Sequence, residues 1–246
     1  MKSLIIISVF FISILSFSCN KTSSDSSSFS QNGQNGSLTR FLLVNNYLYT
    51  ISNDALSVYN VSNAANPVYK NIVHIGFSIQ TVFAYQDKLF IGSSTDMYIY
   101  SIANPELPTK VSSVTYFVRG KDPVVARDSF AYSTVRNDFG NGGVLNCFNI
   151  KNINQPQIVN IIPMFNPYGM GLKGSVLYAC EADSGIKVFT IANPYNPILS
   201  NTVRFNETAY DVIVTGNILV CYIQGGVSFF DITNPVSPSF ISSVKN

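Results

Sequence analysis

Apolar and polar residues alternate with a period of two along most of the chain, in runs of about five residues. The C-terminal stretch shows it most plainly. Residues 210–214, 218–222, 227–232 and 239–244 each read as a strand. Turns at Thr215-Gly216-Asn217 and Gln224-Gly225-Gly226 and a proline-bearing segment separate them. No window shows helical spacing. Strands this short, joined by tight turns, pair antiparallel with their neighbours. About 41 residues therefore make one four-stranded unit.

That unit is repeated. The segments NVSNAANP at 60–67, SIANPELP at 101–108, NIKNINQP at 149–156, TIANPYNP at 190–197 and DITNPVSP at 231–238 end on prolines spaced 41, 48, 41 and 41 residues apart. The aromatics just before them, Tyr59, Tyr100, Phe148, Phe189 and Phe230, keep the same spacing. Eight of the eleven prolines fall inside these segments, so proline belongs to the repeat. It suits the fourth, outer strand, where a missing N–H costs no ladder bond. Asn63, Asn104, Asn152, Asn193 and Asn234 are placed to fold their amides back onto the turn backbone. Five four-stranded antiparallel units of this length predict an all-β chain, a β-propeller of five blades. Each unit is complete from first strand to fourth. Blade one is therefore expected to pack face-on against blade five without an interlocking strand; an open arc is the competing geometry.

The repeat does not begin at residue 1. After Lys2, residues 4–17 form an apolar run broken by serines, too short to span a bilayer and typical of a signal peptide. Its end, Leu15-Ser16-Phe17-Ser18-Cys19, resembles the lipobox of bacterial lipoproteins. The resemblance implies cleavage after residue 18 and lipidation of Cys19. Residues 19–37 then read as a lipidated N-terminus and a disordered Ser/Asn/Gly-rich tether, and 38–246 as the propeller. The expected address is the bacterial cell envelope, lipid-anchored in the outer membrane.

The third strand and Asn-Pro turn of the last unit, Val227-Ser228-Phe229-Phe230-Asp231 followed by Ile232-Thr233-Asn234-Pro235, are similar to the LVIVD-repeat family of surface proteins. The family's closing Asp survives only as Asp231; Asn60, Ser101, Asn149 and Thr190 replace it elsewhere. The resemblance covers residues 38–246 and implies an extracellular β-propeller with no shared catalytic residues.

Composition narrows the chemistry. Charged residues make up 11% of the chain and 26 asparagines carry much of the polarity, so the net charge of +2 does not suit an electrostatic nucleic-acid binder. One histidine, His74, and no CxxC leave no metal-ligand pattern, and no cofactor motif is found. Cys147, Cys180 and Cys221 read as buried core filler. The last two, 41 residues apart, are expected at equivalent places in adjacent blades, too far apart to bridge.

Because strands alternate in direction, the blade-to-blade connectors share one face with the second-to-third-strand turns. The Asn-Pro turns lie on the other. The connector face varies between blades and absorbs the 48-residue step within 136–143. It carries the candidate ligand-binding residues Arg119, Lys121, Asp122, Arg136, Phe139, Tyr168, Tyr210 and Asp211. Aromatics suit a protein hot spot or the face of a sugar. The expected function is a binding or scaffolding module for an unknown protein or glycan, attached to the membrane by its lipid. The alternative is an envelope carbohydrate-active hydrolase using two of Asp122, Glu181, Asp183, Glu207 and Asp211 at the central mouth.

Overall fold

The computed structural model describes residues 36–116, 120, 121, 123–137 and 142–246. Among these there is no helix. Five antiparallel sheets follow one another in sequence, each with its four strands in consecutive order. Blade one is Phe41–Val44, Tyr47–Ile51, Ala55–Asn60 and Val68–His74; blade two is Ile79–Tyr85, Lys88–Ser93, Asp96–Ser101 and Thr109–Thr115. Blade three is Val124–Arg127, Phe130–Asn137, Gly143–Asn149 and Gln157–Met164. Blade four is Met170–Lys173, Val176–Cys180, Ile186–Thr190 and Ile198–Val203; blade five is Ala209–Thr215, Ile218–Ile223, Gly226–Asp231 and Ser239–Lys245. The expected five-bladed β-propeller is the fold.

The repeated residues do the work their spacing implied. In each blade a backbone bond closes the Asn-Pro turn, as from Asn196 N–H to Asn193 O at 3.0 Å. The amides of Asn63, Asn104, Asn152 and Asn193 each accept from the N–H two residues on. Every blade also shifts register by one residue between third and fourth strands, just before that turn, a bulge that adds twist to the outer strand. The first hairpin turn of each blade places one residue at positive φ: Asn45, Gln86, Asp128, Gly174 and Gly216. Only the last two are glycines, which adopt that conformation without strain.

Four blade interfaces share one construction. The repeat aromatic of the third strand looks back at the preceding blade and is buried in Tyr100, Phe148, Phe189 and Phe230. The middle of each second strand looks forward through Tyr49, Phe90, Tyr132 and Tyr178, all buried. Tyr49 donates to Pro105 O at 2.9 Å and Tyr178 to Pro235 O at 2.7 Å, each hydroxyl reaching the Asn-Pro turn of the next blade. Apolar clusters span blades one and two, two to four, and four and five.

The seam between blades five and one is the exception, and face-on packing there is not what the structure shows. No apolar cluster of the described residues spans it. Phe41 is 65% exposed and Leu43 51%, although the matching Val82 and Ala84 of blade two are buried. On blade five, Val220 stands where the other blades carry an aromatic, and Tyr222 is 55% exposed. The chain bridges the opening from inside. Ser37, fully buried, accepts from Met170 N–H of blade four at 2.6 Å and donates to Asp211 of blade five at 3.3 Å. Leu38 N–H donates to Asp211 at 3.1 Å, and Thr39 O accepts from Val82 N–H of blade two at 2.9 Å. Residues 36–39 thus strap three inner strands together, and the folded body starts ahead of residue 38.

Candidate functional site

The connector face carries the sequence-derived candidates that can be described. Arg136 lies next to the end of the long second strand of blade three, braced by Gly120–Lys121, which pairs with Arg136 and Asn137. Its guanidinium lies over the Tyr168 ring, 4.0 Å from the centroid. Tyr168 meets Tyr210 edge-on at 5.4 Å, and Tyr210 meets Tyr222 at 5.4 Å. The four side chains form a row across blades three, four and five.

Backbone bonds fix that row. Tyr168 N–H donates to Cys180 O at 2.8 Å, and Gly169 N–H to Tyr210 O at 2.8 Å. Tyr210 itself sits at a register shift between Ala209 and Asp211, a bulge of the kind that re-aims a side chain. Two connector phenylalanines add exposed apolar surface to the face, Phe77 at 84% and Phe165 at 58% exposure. Phe165 is held by its backbone. Its N–H donates to Glu181 at 2.7 Å, and the buried Glu181 pairs with Lys187 at 3.2 Å.

Cys19, Arg119, Asp122 and Phe139 lie outside the described residues, as does the Lys121 side chain. Of the acids weighed for hydrolysis, each described one has its own partner. Glu181 holds Phe165 N–H and Lys187, Asp183 accepts from Thr208 at 2.6 Å, and Glu207 pairs with Lys245. Asp211, a candidate ligand contact, spends both carboxylate oxygens on Ser37, Leu38 N–H and Val212 N–H. Burial pushes its carboxyl up to about 6 against the opposing pull of those donors. Glycines at 36 and 169 make room for it: a Cβ at either would fall within 2.2 Å of its oxygens.

Tyr222, Phe77 and Phe165 were not among the candidate residues. Tyr222 had a signal. Its register equivalents in blades two, three and four are Gly92, Thr134 and Cys180, all buried. A tyrosine does not fit where neighbouring blades bury such small side chains, so its presence marks an uncovered position.

The opposite face is not featureless. A recess of about 350 Å³ lies among Arg127, Phe130, Gly174 and Pro194, and one of about 400 Å³ among Tyr85, Lys88, Asp128 and Lys151. Both open to solvent between neighbouring turns. On the connector face, a smaller recess of about 240 Å³ lies by Phe205, Glu207 and Lys245.

No family model matches the chain, and no curated protein does. Solved structures resemble it in fold. A protein of unknown function from Desulfotomaculum acetoxidans superposes with a TM-score of 0.66 at 12% identity, over 82% of this chain and 66% of that one. The periplasmic gluconolactonase of Pseudomonas aeruginosa gives 0.64 at 12%, over 81% and 67%. The designed protein Ika8 gives 0.60 at 10%, and this chain spans 60% of its length. At such identities the likeness is one of fold.

Proposed function

We propose that the chain is a lipid-anchored binding module of the bacterial cell envelope, carried on the outer membrane through Cys19 and resembling the LVIVD-repeat surface proteins. It engages a glycan or protein through its connector face. One observation carries this reading: the row Arg136, Tyr168, Tyr210 and Tyr222 runs across three blades and ends in an exposed ring. Aromatic rings held by backbone bonds lose little freedom on contact, which suits them as anchors.

The test is calorimetric titration of the full mature protein with peptidoglycan fragments, soluble glucans and chitooligosaccharides. Arg136→Ala combined with Tyr222→Ala should weaken any binding about tenfold or more. Lys151→Ala, on the other face, should leave it intact. The reverse pattern in folded protein overturns the choice of face. Fatty-acid labelling of cells should tag the wild type and not Cys19→Ser; a tag retained by the variant removes the anchor.

A further inference from the structure

The spacing predicts Cys180 and Cys221 at equivalent places in adjacent blades, too far apart to bridge. The strand registers put them elsewhere. Cys180 follows Tyr178 by two residues, so it shares the face whose Tyr178 hydroxyl reaches into blade five. Cys221 shares the face of Leu219, which looks back toward blade four. A one-residue offset between the two strands turns the thiols toward each other across the interface. Both are fully buried in one cluster and both are free; Cys221 lies near enough to add to the burial that raises the Cys180 thiol, while its own thiol donates to Tyr222 O at 3.7 Å.

Packed sheets about 10 Å apart would still keep a disulfide from forming. Here the sheets converge. Ala182, two residues beyond Cys180, forms an antiparallel bridge with Ala209, and Ala209 N–H donates to Ala182 O at 3.1 Å. Ala209 in turn stands opposite Ile223, two residues beyond Cys221. Bridged residues have Cα atoms about 4.5–5.5 Å apart. Glycine at 169 and 171 and alanine at 182 and 209 let the two backbones approach. The end of blade four's second strand thus comes to strand distance from blade five's first strand two residues beyond Cys180, and Cys221 lies on the strand paired with that one.

We propose that Cys180 and Cys221 are an oxidisable pair that forms a disulfide locking blade four to blade five. The oxidant is a low-molecular-weight disulfide such as oxidised glutathione. One cysteine thiolate attacks it, forming a mixed disulfide and releasing one glutathione thiol. The second cysteine thiolate then displaces the other glutathione. Two cysteine thiols are oxidised, one disulfide is reduced to two thiols, and the two protons pass to the glutathione thiolates. Burial pushes the Cys180 thiol well up, so exchange belongs to folding or to an opened interface. Cys147, on the third strand of blade three and in a different cluster, takes no part.

The test uses the full chain carrying Cys19→Ser, refolded from urea with oxidised glutathione or with reductant, then denatured for thiol titration. The reduced sample should show three free thiols and the oxidised sample one, with mass spectrometry finding a peptide that joins the two cysteines. Cys180→Ala and Cys221→Ala should each keep two free thiols in both conditions, with far-UV circular dichroism confirming that they fold. Three thiols in the oxidised wild type, glutathione adducts alone, or a loss that survives in Cys180→Ala would overturn the pair.

Discussion

Leu48, Leu89, Leu177 and Leu219 occupy one repeat position and differ in what covers them. Each pairs with the repeat aromatic on the next strand, Tyr59, Tyr100, Phe189 or Phe230. Leu89, Leu177 and Leu219 are 0% exposed, because a preceding blade covers them. Leu48 is part-exposed because it faces the seam. Truncating a buried leucine to alanine costs about 2–5 kcal/mol, the sum of lost transfer energy and a cavity that the surroundings do not fill. At Leu48 solvent already reaches the site and no closed cavity forms, so about 1 kcal/mol is expected. For a domain of this size that corresponds to a melting shift of about 2–4 °C at Leu48 against about 4–20 °C at Leu177. Urea and thermal unfolding of the alanine series measure it within one fold, with chemistry held constant. If Leu48→Ala costs as much as Leu177→Ala, the seam is packed and the account of blade closure is wrong.

Two further outcomes follow from single contacts. Tyr178→Phe keeps the ring and removes its hydroxyl from Pro235 O, so it should lower stability by about 1–3 kcal/mol; an unchanged urea midpoint would mean that the bond contributes nothing. The carboxyl of Asp211 is raised in the fold to about 6 from 3.8, so the folded state binds that proton more tightly than the unfolded chain does. Its contribution is complete below about pH 4 and is lost as pH rises through about 6, on the order of 3 kcal/mol. Stability of wild type relative to Asp211→Asn should therefore fall between pH 4 and 7; a flat difference would refute the shift. Glu106, Glu207 and Asp231 are lowered by hydrogen-bonding partners and act in the opposite direction, which is why the comparison is made against the variant.

The repeat made the architecture legible because each blade solves the same packing problem with the same residue types. The spacing of Tyr59, Tyr100, Phe148, Phe189 and Phe230 located every third strand, and the asparagines located every turn. What could not be read was the relation between non-identical blades. The cysteine spacing of 41 residues matched the motif interval, yet the second strands align with an offset of 42, as Lys173–Val176 against Thr215–Ile218 shows. In a strand, one residue of slip reverses the face, and that turned a supposed equivalence into a facing pair. The strap was hidden for a different reason. Gly36 and Ser37 continue a polar tract, and nothing local separates a buried serine from a solvated one. Its burial depends on Met170 N–H and Asp211, which arrive from far along the chain. The candidate site was partly legible: Arg136, Tyr168 and Tyr210 do come together, whereas Asp211 serves the strap.

The seam and the aromatic row are parts of one surface. Tyr222 ends the row, and its strand is also the forward edge of the uncovered blade-five face, where Ile213 is exposed as well. At the other four interfaces a succeeding blade buries the positions equivalent to Tyr222 and Val220, so an exposed ring there requires that blade five have no packed successor. The strap meets a different need: Met170 lies on the first strand of its sheet, where no further strand pairs with it, and its N–H is satisfied by Ser37. A change that sealed the seam would therefore bury Tyr222, and with it the exposed end of the row that the proposed binding face depends on.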